Sequence, residues 1–169
     1  VGQGDGICIR MPGGKNCLID GGSSDVSSVG AYRIEPYLLY CGIRNIDYAF
    51  VSHGDEDHIS GIRELLEGKV NTRFSLHALE EEIGFPYVSW DEKLKELAVL
   101  AAENGTRIAE IHAGEQVVDG TGEQKMSLRC IGPEMGLSES GNAASMVLQA
   151  EYGNFSMLLT GDVEGAGEK

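Results

Sequence analysis

The apolar run Tyr48-Ala49-Phe50-Val51 passes through one serine into His53-Gly54-Asp55-Glu56-Asp57-His58, and apolar residues at helical spacing begin at once behind it. Asp47 to Ser52 reads as a buried strand. Asp57 to Glu67 reads as a helix, with Ile59, Ile62, Leu65 and Leu66 on one face and Gly68 closing it. A strand, a polar turn and a helix in immediate succession fix where the chemistry of such a chain must sit. The turn carries two imidazoles and three carboxylates, enough nitrogen and oxygen donors for two neighbouring divalent ions, and a pair of that kind activates water for hydrolysis.

Carboxylates alone would sit comfortably at a helix N-terminus, where unpaired N–H groups and the dipole favour negative charge. The two histidines have no such explanation, because neither falls on an apolar periodic position. His53 and Asp55 alternate on extended chain and point one way; Asp57 and His58 lie a turn further on. The set suits Zn²⁺ or Mn²⁺. An EF-hand is excluded, since no D-x-D-x-[DN]-G loop with a closing Glu is present. A further candidate ligand is Asp162, at the end of Met157-Leu158-Leu159-Thr160-Gly161-Asp162, where an apolar strand meets a glycine and then a carboxylate.

Elsewhere, strands are expected at Ile7 to Met11, Asn16 to Asp20, Phe74 to His77, Arg107 to His112, Gln116 to Asp119, Met126 to Ile131, Ser145 to Tyr152 and Phe155 to Thr160. Helices are expected at Ile34 to Tyr40 and Asp91 to Asn104. Pro12-Gly13-Gly14-Lys15 and Tyr152-Gly153-Asn154-Phe155 are turn chemistry. Two sheets with helices packed outside would bury these faces, although the strand count equally allows a plain α+β sheet.

With 169 residues the chain is expected to form one domain, 1–169. No apolar run approaches the roughly 20 residues that span a bilayer. Val1 in place of Met, and an end soon after a strand, read as a piece of a longer protein. A formal charge of −14 argues against tight, static nucleic-acid binding, which phosphate contacts dominate. Part of that acidity belongs to the site, since two divalent ions offset about four charges. Cys8, Cys17, Cys41 and Cys130 show no C-x-x-C spacing. A four-residue turn sets Cys8 opposite Ile19 and Cys17 opposite Arg10, a diagonal unsuited to a disulfide, so free thiols are expected. His77, His112, Trp90 and the Glu80-Glu81-Glu82 run are set aside as packing or solvated surface.

His53-Gly54-Asp55-Glu56-Asp57-His58 resembles the H-x-H-x-D-H signature of the metallo-β-lactamase superfamily, with Asp55 in place of the middle His. Together with Val1-Gly2-Gln3-Gly4-Asp5, Leu18-Ile19-Asp20-Gly21-Gly22 and Leu159-Thr160-Gly161-Asp162, it is similar to the C-terminal soluble domain of ComEC-type DNA-internalization competence proteins. The resemblance implies an α+β fold, an αββα sandwich of which this chain holds the N-terminal and central part, with metals at the edge between the sheets. It implies that His53 and Asp55 serve one metal, Asp57 and His58 the other, and Asp162 bridges them. Asp57 is also the candidate catalytic residue. Asp5 and Asp20 would orient ligand histidines. Asn142 stands where the superfamily usually has another His, and the usual His-rich segment after the T-G-D strand is not in this sequence. Two divalent ions are therefore expected in the complete domain, and metal binding by this portion alone is left open. The parent would be a bacterial membrane protein passing single-stranded DNA inward. This domain would be its nuclease at the extracytoplasmic face, meeting DNA transiently and contacting the transmembrane channel part. A free-standing small-molecule hydrolase and an inactive docking module are the alternatives.

Overall fold

The computed structural model describes residues 1–68, 82–86, 91–134 and 141–165. Among these residues, five strands, β1 (Ile7–Arg10), β2 (Asn16–Ile19), β3 (Tyr48–Phe50), β4 (Glu82–Pro86) and β5 (Arg107–Ile111), form one sheet in that order. β1 and β2 are antiparallel and the remaining pairs parallel. Parallel neighbours need crossovers, and α2 (Glu56–Leu66) and α3 (Glu92–Glu103) lie in them; α1 (Glu35–Tyr40) follows a π-helical turn at Gly30–Ile34. Four antiparallel strands, β6 (Gln116–Asp119), β7 (Met126–Gly132), β8 (Val147–Tyr152) and β9 (Phe155–Leu159), make the second sheet.

The period of two along each strand divides the core. Leu18, Ala49, Val51 and Ile83 face the helices and meet Leu38, Ile59, Ile62, Leu65, Leu94 and Leu97. Cys17, Ile19 and Phe50 face the other way and meet Met126, Leu128, Leu148 and Leu159 of the second sheet. Each fully buried aliphatic side chain contributes about 2 kcal/mol. The architecture is α+β, helices on one sheet and that sheet on a second.

α2 forms where its apolar stripe predicts, with Glu56 and Asp57 in its first turn and Gly68 at φ 63° just past its end. In α3, Asp91 caps the helix by accepting from Leu94 N at 2.8 Å, while Leu94, Leu97, Ala98 and Ala101 are buried. The strand pairing from Gln116 to Asp119 and the two-residue turn between Tyr152 and Phe155 match the sequence reading.

Three expectations are corrected. The β1–β2 loop has five residues, Met11 to Lys15, closed by Met11 N donating to Lys15 O, so Cys8 lies opposite Leu18 and Ile9 opposite Cys17. One residue of register sends the two thiols to opposite faces of the sheet. All four cysteines are free, and burial pushes the Cys17 thiol up to about 12. β4 was not expected, because Gly84 and Pro86 dilute its β signal; its parallel neighbours on both sides hold it in place. Glu82 begins that strand and takes the Arg107 guanidinium, rather than belonging to a solvated charge run. Finally, Ser145 and Met146 precede β8, and Gly141–Ala144 forms a single 3₁₀ turn. The strand expected from Phe74 to His77, and Trp90, lie outside the described residues.

Candidate metal centre

Two glycine-rich segments, around Asp5 and at Gly21-Gly22, meet at the N-terminus of α2. Asp5 N donates to Asp57 O at 3.0 Å, Gly22 N to Asp5 O at 3.0 Å, Gly21 N to His58 O at 2.8 Å and Ile62 N to Gly21 O at 3.2 Å. Backbone can approach backbone this closely only because side chains are missing. A Cβ on Gly4 would lie 2.4 Å from Asp57 O, and one on Gly61 2.3 Å from Gly21 O. The sequence motifs around Asp5, Asp20 and His58 are therefore one structural unit, whose purpose is to hold the first turn of α2 against the end of β2.

At that end Asp20 takes φ 54°, a left-handed conformation that Asp tolerates better than most residues, while its N–H still pairs with Phe50 O at 2.9 Å. Its carboxylate is buried and fully used. Oδ1 accepts from Ser52 N at 2.8 Å, and Oδ2 accepts from Ser52 Oγ at 2.7 Å and lies 3.0 Å from His58 Nδ1. Ser52 Oγ is also 3.0 Å from His53 Nδ1. The two imidazoles lie with centroids 4.1 Å apart, tilted by 51°.

The second sheet closes the other side. Met146 N donates to Ser52 O at 2.8 Å. Gly161, at φ 52°, passes so near Ser52 that a Cβ there would sit 2.8 Å from Ser52 Cβ, and this brings Asp162 over the histidines. His58 Nε2 is 3.4 Å from Asp162 Oδ1. His53 Nε2 is buried and has no hydrogen-bond partner among the described residues. Ligand atoms of His53, His58 and Asp162 all fall within 4.8 Å of one another, at the edge between the sheets. Two imidazole nitrogens and a carboxylate oxygen, one nitrogen orphaned in the interior, fit a divalent first-row cation.

The remaining candidates sit around this trio. Asp55 Oδ2 is 3.6 Å from His53 Nε2, and Lys93 Nζ is 3.6 Å from Asp55 Oδ1 on the rim. Asp5 and Asp20 form a second group with His58, behind the ring rather than in front of it. Asp57 enters neither group; its carbonyl serves Asp5, and its carboxylate lies in the first turn of α2. Asn142, half-buried, accepts Ser145 N at its carbonyl, and the Ser145 hydroxyl is buried without a partner among the described residues. His53 and His58 thus share one cluster, where the resemblance divides them between two metals. Ser52, Ser145 and Lys93 escaped the sequence reading. Only Ser52 carried a signal, its place immediately before His53.

Burial and the charge of His58 hold His53 below the ordinary imidazole range, against the pull of Asp20, Asp55 and Asp162. Burial also opposes charge on His58, but the hydrogen bond and charge of Asp20, with Asp162 and Asp5, outweigh it and push His58 up to about 9. His58 is raised in the fold, so its contribution to stability is complete below pH about 6.5 and is lost as pH rises through about 9. His53 is lowered, so its contribution is present above 6.5 and is lost on acidification. The metal-free chain should therefore melt highest near neutrality and at lower temperature on either side. A proton on His58 must leave when a cation takes Nε2, so Zn²⁺ binding at pH 7 should release protons, measurable as a buffer-dependent calorimetric enthalpy. A flat melting profile from pH 6 to 9.5, with no proton release, would contradict this assignment.

Among the described residues, no helix is long and apolar enough to cross a membrane. The family described as the metallo-beta-lactamase superfamily matches residues 1–169, and the chain belongs to it. Within that superfamily the chain is 30% identical, over 184 aligned residues, to ComE operon protein 3 of Bacillus subtilis (strain 168). The alignment covers 100% of this chain and 22% of that protein's length. Solved structures similar to it include CmlA, a diiron beta-hydroxylase from Streptomyces venezuelae, with 12% identity, TM-score 0.44, and 94% of this chain and 29% of the other covered. A diphosphatase from the PhnP family matches with 18% identity and TM-score 0.41, over 81% and 45% of the two chains.

Proposed function

We propose that this chain is the hydrolase part of a ComEC-type competence protein and that it cuts phosphodiester bonds in the DNA strand that is not taken up. The observation that carries the reading is the buried, partnerless His53 Nε2 beside His58 Nε2 and Asp162 Oδ1. The 30% identity to ComE operon protein 3 supports the competence context. His53, His58 and Asp162 would hold the first divalent ion, Zn²⁺ or Mn²⁺, with Asp55 and Asp57 nearest to a second. When bound, such ions supply a nucleophile at neutral pH and Lewis acidity toward a phosphoryl oxygen.

The chain's own groups do the rest. Asp20 fixes the orientation of His58 from behind. Asp162, 44% exposed at its side chain, faces solvent, and substrate would arrive from that side. Lys93 places a cation on that rim, suited to a phosphate. The parent would be a membrane protein with this domain at the extracytoplasmic face, single-stranded DNA as passing substrate and the transmembrane channel part as neighbour. A second reading, a small-molecule ester, lactam or thioester hydrolase, is favoured by the net charge of −14, which repels polyanions.

The test incubates the chain with Mn²⁺ or Zn²⁺ and end-labelled single-stranded DNA, with a chromogenic ester alongside. Cleavage of DNA that falls to background in His53→Ala and Asp162→Asn is expected. Intact DNA with a folded, metal-loaded protein would refute the nuclease reading, and ester turnover under those conditions would favour the second. A folded protein that takes up no metal and cleaves neither substrate would leave the docking-module reading.

A further inference from the structure

We propose that Ser52 is a positioning residue that sets the tautomer of His53, so that the Nε2 atoms of both imidazoles face one cation. The inference rests on the metal-site reading above and deepens it.

The direction of each hydrogen bond follows from a count of protons. Asp20 Oδ1 accepts from Ser52 N, which can only donate. Asp20 Oδ2 has two neighbours, Ser52 Oγ at 2.7 Å and His58 Nδ1 at 3.0 Å. A carboxylate offers lone pairs only, so both neighbours donate to it. Ser52 has then used its single hydroxyl proton. At 3.0 Å from His53 Nδ1 its oxygen is left as the acceptor, and Nδ1 must carry the hydrogen. His53 Nε2 is then a lone pair, in keeping with its having no hydrogen-bond partner although it is buried. His58, donating from Nδ1 to Asp20, also turns Nε2 forward, toward Asp162.

Ser52 cannot easily turn away from this arrangement. Its backbone N–H is held by Asp20, its carbonyl by Met146 N at 2.8 Å, and Gly161 passes against its side chain. One hydroxyl therefore transmits the orientation imposed by Asp20 on His58 to a second histidine, His53. Carboxylate–histidine–metal support is a general device; here a serine extends it from one ring to two.

Long-range proton–nitrogen correlation spectra of the ¹⁵N-labelled, metal-free chain read the tautomer directly. In the wild type His53 should carry its proton on Nδ1. In Ser52→Ala it should move to Nε2, and Zn²⁺ affinity by calorimetry should fall about 10–100-fold. Amide resonances away from the site should hold their positions. Ser52→Thr, which keeps the hydroxyl, should restore both readouts. A wild-type His53 protonated on Nε2 overturns the proposal without any variant, as does a folded Ser52→Ala protein with unchanged tautomer and affinity. If the wild type binds no Zn²⁺, the metal reading fails, while the wild-type tautomer still decides the role of Ser52.

Discussion

Asp20→Ala should lower the unfolding free energy by about 3–5 kcal/mol and Zn²⁺ affinity by about 10–100-fold. The carboxylate is buried and is the acceptor for Ser52 N, Ser52 Oγ and His58 Nδ1. Its removal strands a backbone N–H and a hydroxyl in the interior, each costing about 1–3 kcal/mol, and takes the counter-charge from His58. Alanine must also adopt φ 54°, which Asp accepts more readily. For a chain of this length the loss corresponds to a fall of roughly 10 °C in melting temperature. Asp20→Asn separates the contributions, since it keeps size and backbone tolerance but cannot serve every donor as an acceptor; it should lose less stability and still bind Zn²⁺ weakly. A loss below about 1 kcal/mol in Asp20→Ala, by urea unfolding, would show that the buried network contributes little.

Gly22→Ala should be at least as damaging to function, for a steric reason. The added Cβ would stand 2.3 Å from Asp57 C and 2.4 Å from both Glu56 O and His58 N. All are backbone atoms of the first turn of α2, so no side chain can move aside. The helix start must shift by about 1 Å and carry His58 with it. Overpacking of this severity costs about 3 kcal/mol. A 1 Å displacement of a reacting group costs about 10²-fold in rate, so metal-dependent hydrolysis should fall by that order. Gly42→Ala is the contrast. Gly42 has φ 73° but, among the described residues, nothing within 4 Å of a new Cβ, so only the backbone cost of about 1 kcal/mol should appear, with activity intact. Equal effects of the two substitutions on activity would argue that close contact at Gly22 does not place His58.

The expected α+β architecture and its superfamily were legible because the patterns are local. Leu18-Ile19-Asp20, Tyr48-Ala49-Phe50 and Leu158-Leu159 alternate or run apolar into polar ends, and α2 and α3 repeat at helical spacing. β4 was not legible, because a strand holding a glycine and a proline is recognised by its neighbours, not by its own residues. The hairpin register slipped by one residue, since Met11 closes the loop instead of extending β1.

Near the site, residue types and spacing nominated His53, Asp55, Asp57, His58 and Asp162, and a resemblance added Asp5, Asp20 and Asn142; the fold brings His53, His58 and Asp162 to one place. Their division of labour could not be read along the chain. Asp20 and Ser52 are 32 residues apart, and His58 and Asp162 more than 100, so only the packing of two sheets and one helix brings them to contact. Composition and periodicity determined by themselves that a strand would deliver donors to a helix start, because local propensity acts over a few residues. Which nitrogen faces which oxygen was decided by tertiary structure alone, because hydrogen-bond direction depends on distances of a few tenths of an ångström set by side chains distant in sequence.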